Sequence, residues 1–289
     1  MTSTHPSGLE AVVLLVLADP HDRLARRLLA CTTGRVEAVW LTPGDLVRGR
    51  WEHRVGRART GADSPVEVRS RVHCRGRWHD LTQVCATLNR VRWLPPASAG
   101  FASEDDREYA AAELHALLLS VLAALPGVVV NRPVPPSLSG ADLTPAGWLA
   151  LAASVGLPGR RSVLTTDARR HPRPGWSARR WPGLDALPPA IPPGPRPVVW
   201  LEPVGTVHRC WVVGDAVVPA DEAAARLAAE VDVVRLARAG GCSLLEVGLA
   251  LDDGGRVVLV GADAVPDDVP DHVLDALVHA LLRGAAVPR

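Results

Sequence analysis

His208-x-Cys210 alternates along a strand-like stretch, so both side chains share a face, with Cys242 further on. This is the first constellation able to hold a metal. Tetrahedral zinc sites use closely paired nitrogen and sulfur ligands, and a half-buried imidazole beside small buried thiols explains the same spacing. Asp19-x-His21-Asp22 is the second. It follows an apolar run, at the strand end where α/β proteins place ligands, and His79 could complete two histidines and a carboxylate for iron. A capped helix start accounts equally for these residues. His115 and His279 lie in helical stretches with apolar neighbours and read as structural. Ser-His-Asp hydrolysis lacks its G-x-S-x-G elbow. All 32 basic residues are arginine, so Schiff-base chemistry and a phosphate-gripping lysine are both excluded. The five cysteines (Cys31, Cys74, Cys85, Cys210, Cys242) include no C-x-x-C pair and are odd in number, which fits reduced thiols in the cytoplasm.

Arginine has one conspicuous concentration. Arg48, Arg50, Arg54, Arg57, Arg59, Arg69, Arg71, Arg75 and Arg77 alternate with strand-like stretches, the clearest being Val66 to Cys74; Glu52, Asp63 and Glu67 oppose them. A solvated face of an antiparallel hairpin explains this. So does an edge that accepts an acidic extended peptide by strand addition.

The elements that must position these residues follow from periodicity. Glu10 to Leu17 is a continuous β-branched run, the mark of a parallel strand buried on both faces. A helix over Asp22 to Ala30 and a strand over Arg35 to Leu41 complete a βαβ opening. Its first turn lacks G-x-G-x-x-G, which argues against a dinucleotide there. Ser103 caps a helix to Leu125 whose first turn is acidic and whose leucines form one stripe. Val128 to Asn131 is a short strand, Thr144 and Pro145 open a helix ending at Gly156, and Arg161 to Thr165 is a strand. His171 to Pro197 is crowded with proline and reads as a linker or irregular loop. Beyond it come strands at Val198–Glu202 and Thr206–Val213, a helix over Asp221 to Ala239, a hairpin over Ser243 to Val260 turning at Asp252-Asp253-Gly254, and a helix over Asp268 to Leu282. Trp93, Trp148, Trp200 and Trp211 fall in core-like segments; Trp176 and Trp181 fall in the proline-rich one, where exposed aromatics could grip a peptide.

The expected organisation is 1–130, a Rossmann-like domain with an Arg-rich hairpin; 131–170, a central segment; 171–197, the linker; and 198–289, a C-terminal core. At 289 residues and 47% hydrophobic, the chain can bury roughly three quarters of its unfolded surface. Net charge +1 supplies no field for nucleic acid or an anionic membrane. No apolar run spans a bilayer, and Met1 to Glu10 lacks the order of a signal peptide. Near-neutral charge with long apolar stripes makes a homodimer an expectation.

Two stretches, FASEDDREYAAAELHALLLSVLAALPGVVVNRP (Phe101 to Pro133) and LTPAGWLALAASVGLPGRRSVLTTD (Leu143 to Asp167), resemble the ATP-grasp ligases that turn ribosomal peptides into macrocycles, the graspetide or microviridin type. Asp19 and His21 resemble part of that family's pre-grasp domain, and Asn89 to Pro96 its Trp-x-Arg-Arg-Pro segment, out of order. Leu201 to Ala220 is similar to the hinge glutamate, arginine and Val-Val-Gly-Asp strand, and Cys242 to Asp267 to the metal-binding hairpin. The resemblance implies an α/β (α+β) fold: a Rossmann-like pre-ATP-grasp domain followed by a truncated ATP-grasp-like core.

The departures bear on chemistry. The family's Asn-Lys pair falls on Thr144-Pro145, its first metal-binding acid on Gly248, and its Glu-x-Asn on Gly261-Ala262-Asp263. Magnesium needs several oxygen ligands to bridge β- and γ-phosphates. Arginine binds oxyanions, so Arg160, Arg161 and Arg209 are candidate substitutes for lysine, and Glu246 for a relocated ligand. The expected function is an ATP-grasp-like protein without the usual lysines, metal or cofactor. It would bind a precursor (leader) peptide and present it to another maturation enzyme, or modify it. Its site residues would be Glu202, His208, Arg209 and Glu246, with Arg69 and Arg71 as the peptide edge. The alternative is an active carboxylate–amine or ester ligase with a rebuilt site.

Overall fold

A computed structural model describes residues 13–57, 66–96, 103–135, 137–165, 176–180 and 198–285. They form two compact units, Met1–Gly140 with Asp267–Arg289 and Ala141–Pro266. The boundary at 140, and the return of the last 23 residues to the first unit, differ from the divisions expected at 130, 170 and 197.

In the first unit the β-branched run forms β1 (Val13–Leu17), followed by α1 (Arg23–Thr32) and β2 (Glu37–Leu41). Then come α2 (Pro43–Arg48), β3 (Arg50–Arg57), β4 (Val66–Cys74), β5 (Arg77–Asp80), β6 (Val84–Asn89), α3 (Glu104–Ala123) and β7 (Val128–Val130). The parallel sheet has the order β2-β1-β6-β7, with β1 and β2 neighbours as the βαβ opening requires. β1 is buried on both faces: Leu15 and Leu17 join Leu118, Val121 and Leu122 of α3 in one core cluster, and the alternate Leu14 and Val16 are fully buried as well. α2 and the arginine-rich strands are inserted between β2 and β6 as a separate antiparallel sheet, β3-β4-β5.

Asp22 caps α1 by accepting from the Ala25 amide at 2.8 Å, and its other oxygen accepts from Arg90 Nε at 2.6 Å. Both side chains are nearly buried, 3% exposed for Arg90 and 11% for Asp22. Next to them the Asn89 amide donates to the carbonyls of Asn131 and Leu138. The C-terminal end of the parallel sheet is thus closed by hydrogen bonds within the unit. The segment before the last helix is tied to α1 by Arg27, whose guanidinium meets Asp268, the Val269 carbonyl and Asp271.

The second unit runs α4 (Pro145–Ser154), β8 (Ser162–Thr165), β9 (Ser177–Arg180), β10 (Val198–Leu201), β11 (His208–Val213), β12 (Ala216–Pro219), α5 (Glu222–Ala229), α6 (Val233–Ala239), β13 (Leu244–Leu251) and β14 (Val257–Asp263). A last helix, α7 (Asp271–Ala285), belongs to the first unit. Strands β12-β11-β13-β14 form an antiparallel sheet, and β8-β10-β9 a smaller one. The helix expected over 221–239 is two helices, because Asp232 starts a new turn by capping the Arg235 amide. Part of the proline-rich segment, Ser177–Arg180, is a strand against β10; most of that segment, Trp181 included, lies outside the described residues. Trp148 and Trp211 are core residues, Trp200 and Trp176 are half-buried, and Trp93 is exposed. Trp148 packs so close to Gly240 that a Cβ there would lie 2.9 Å from its ring.

Candidate functional site

One hollow of the second unit follows from strand register. Arg209 of β11 lies opposite Gly248 of β13, which lies opposite Gly261 of β14. One row along, Trp211, Glu246 and Asp263 are opposed. Directly opposed residues share a face, so both rows line one side of the sheet. That side forms a cavity of about 490 Å³, whose wall includes Arg160, Arg209, Glu246, Gly248, Gly261 and Asp263. The rest is largely apolar, with Val199 and Leu201 of β10 and Val207 and Val260.

The carboxylates are held from within. Glu246 Oε1 lies 3.5 Å from Arg209 Nε, and its Oε2 accepts from Trp211 Nε1 at 3.3 Å. Asp263 Oδ1 accepts from the Val265 amide at 2.8 Å. The glycine row leaves room: a Cβ on Gly261 would meet nothing within 4 Å, and one on Gly248 would meet Val207 Cγ1 at 3.3 Å.

The four core residues singled out from the sequence are not gathered in one place. Arg209 and Glu246 line the cavity. His208, one residue earlier on β11, turns to the opposite face. There it lies 3.6 Å from Asp221 and lines a different hollow with Thr206 and Arg226. Glu202 follows Leu201 and turns away too, its carboxylate 3.3 Å from Arg161 Nε. Asp263 and Arg160 stand in the cavity wall. The register of β13 against β14 places Asp263 opposite Glu246, and it does so through a bulge between Gly248 and Leu249, which shifts the pairing by one residue from that set by the turn at Asp252–Gly255.

Arg69 and Arg71 are on β4, the central strand of its sheet; Arg71 is paired on both sides, whereas β5 reaches only Arg71 to Cys74 and Arg69 is paired with β3 alone. They project from the outer face, where Arg69 pairs with Glu67, and Arg71 with Glu52 while lying over the Trp78 ring.

The metal constellations do not assemble. Among the described residues no three His, Cys, Asp or Glu side chains are grouped to hold an ion. Burial pushes the Cys210 thiol up to about 12, helped by Glu246, and the Cys242 thiol to about 11. Burial thus favours the protonated form of both thiols. Asp22 is spent on its cap and Arg90. His279 is exposed. Among the described residues no helix is long and apolar enough to cross a membrane.

No family model and no curated relative matches the chain. Solved structures do. The macrocyclase MdnC of Microcystis aeruginosa MRC, bound with precursor peptide MdnA, superposes with a TM-score of 0.62 at 12% identity, over 94% of this chain and 100% of that one. The ATP-grasp ligase PsnB complexed with minimal precursor gives 0.59 at 18% identity, over 93% and 99%. A RiPP-associated ATP-grasp ligase of Chryseobacterium gregarium, in complex with ADP and a leader and core peptide, gives 0.57 at 11% identity, over 96% and 98%. Over nearly its whole length, this chain has the α/β ATP-grasp fold of ligases associated with ribosomal-peptide maturation.

Proposed function

We propose that this chain binds a precursor peptide in ribosomal-peptide natural-product biosynthesis, and presents or modifies it without conventional ATP-dependent ligation. The observation that carries this reading is the state of Glu246. Its Oε1 lies 3.5 Å from Arg209 and its Oε2 accepts from Trp211, while the neighbouring row offers glycine at 248 and 261 and leaves Asp263 as the other acid in the wall. A magnesium-bound triphosphate asks for several carboxylate or carbonyl oxygens around the ion. The donor set lining the cavity does not fit that group, and no step is derived through it. The mostly apolar wall suits an uncharged part of a peptide better than a polyanion.

Peptide binding is supported by the fold and by the neighbours crystallised with precursor or leader peptides. We place the acidic part of the peptide across the outer face of the β3-β4-β5 sheet, where Arg54, Arg69 and Arg71 line a shallow hollow of about 210 Å³. Contact at Arg71 is side chain to side chain, because its backbone is paired on both sides. Each arginine already has a carboxylate partner, so the peptide would share or displace Glu52 and Glu67.

One observation favours the second reading, an active carboxylate–amine or ester ligase with a rebuilt site: Arg160 and Arg209 line the same cavity as Glu246 and Asp263. Co-expression with short precursor peptides encoded near the gene separates the two. The first reading expects a bound peptide of unchanged mass, or a change other than dehydration. Loss of one water per new bond, dependent on ATP, would support the second. Peptides that neither bind nor change would count against both.

A further inference from the structure

His208 turns away from the cavity and lines a second hollow of the same unit, of about 510 Å³. One wall is the far end of β11 and β13. The Gly205 amide donates to the Leu251 carbonyl at 3.1 Å, and His208 is paired with Leu249, so the chain from 205 to 208 runs along β13. Alternation puts Thr206 and His208 on this side, and Val207 and Arg209 on the cavity side. The opposite wall is Ala223, Arg226 and Leu227 of α5 with Glu230 at its C-terminal cap, a stripe at helical spacing.

The lining is of two kinds. Leu227 is half-buried, and Leu251, the last residue of β13, is 43% exposed; together they give the hollow an apolar part. The polar groups differ in how far they are committed. His208 lies 3.6 Å from Asp221, which also caps α5 by accepting from the Ala224 amide at 2.7 Å. The side chains of Arg226 and Glu230 make no hydrogen bond or ion pair among the described residues. They stand four residues apart, where a pair can form, but arginine preceding glutamate is the weaker order. One cation and one anion, both uncommitted, thus flank an apolar surface.

We propose that this hollow binds an apolar dipeptide with both ends free, its carboxylate on Arg226, its ammonium on Glu230, and its side chains on Leu227 and Leu251. Length selects the class. Four helical residues advance about 6 Å, and the ends of an extended dipeptide are at most about 7 Å apart. A single amino acid carries both charges on one carbon and spans less. The volume agrees, since clefts of about 300–1,000 Å³ hold small molecules of this size and above. The Thr206 hydroxyl and the His208 imidazole, in the facing wall, are suited to the central amide group. The hollow lies on the other face of the sheet from the cavity, so the proposal is independent of what the cavity binds.

Titration calorimetry of the full chain with leucyl-leucine tests it. Saturable binding is expected at about 0.1–1 mM. Acetyl-leucyl-leucine and leucyl-leucinamide should each bind about tenfold more weakly, because each loses one charge-assisted contact. Variants should mirror the blocked peptides. Arg226→Gln should weaken leucyl-leucine about tenfold and leave leucyl-leucinamide unchanged, and Glu230→Gln should do the same with acetyl-leucyl-leucine as the insensitive peptide. Both positions are exposed, so neither change disturbs the core, and a general loss of structure would not produce this crossed pattern. No saturable heat up to about 10 mM dipeptide, blocked peptides that bind as well as the free one, or variants that weaken all three peptides alike would overturn the proposal. Free leucine binding as tightly as the dipeptide would overturn it as well.

Discussion

At the scale of single residues, the account turns on which side chains are already committed. Glu246 was legible as a relocated acid because it alternates onto the face of Gly248. Its contacts with Arg209 and Trp211 were not, since they depend on the register of β11 against β13, two strands separated in the chain by β12, α5 and α6 with no tight turn to fix their pairing. The glycine row predicts how the site tolerates restored acids. Gly261→Glu enters open space and should shift stability by no more than about 0.5 kcal/mol. Gly248→Asp must displace Val207 and should cost about 1–3 kcal/mol. Chemical denaturation of both variants reads the difference, and equal costs would refute the register. A second commitment lies far from the cavity. Asp22→Ala removes both a helix cap and the partner of buried Arg90, and should cost about 3–5 kcal/mol by the same measurement.

At the scale of elements, the capped helices and the βαβ opening were readable because local chemistry decides them. Thr144 with Pro145 and Ser103 with its acidic first turn behave as their types require. α2 was missed: it is only six residues long and rests on a capping box in which Thr42 and Asp45 bond each other. Asp45 also holds Arg75, whose Nη2 donates to it at 2.5 Å, and so steadies a residue with φ of 50° in the tight turn between β4 and β5. Burial alone would raise the Asp45 carboxyl, but hydrogen bonds from Arg75 and Thr42 outweigh it and hold the group below its ordinary range. A depressed carboxyl stabilises the fold above its unfolded value of about 3.8, and that stability is lost as pH falls through the folded value. Asp45→Asn should therefore cost about 1–2 kcal/mol at neutral pH, and the gap from the unmodified chain should close below about pH 4. Thermal melting across pH measures it; a gap that does not narrow would remove the ionised pair from the explanation.

At the scale of the whole molecule, the βαβ opening and the resemblance pointed correctly to an α/β chain, yet chain order misled on its organisation. The last helix follows the C-terminal strands in sequence but buries Val273, Leu274, Leu277 and Leu281 in the first unit, held there by Arg27. Nothing local to α7 reveals this, because an amphipathic stripe does not name its partner. A chain ending at Pro266 should lose the cooperative melting of the first unit while the second keeps its own transition, as calorimetric scanning would show. Intact melting of both would contradict the division. The proposed function requires that the cavity between the Arg209 and Trp211 rows and β10 does not accept a magnesium-bound triphosphate. Titration calorimetry with Mg·ATP tests it most directly. The account predicts no saturable heat up to millimolar nucleotide, whereas micromolar binding that Arg209→Ala abolishes would contradict it.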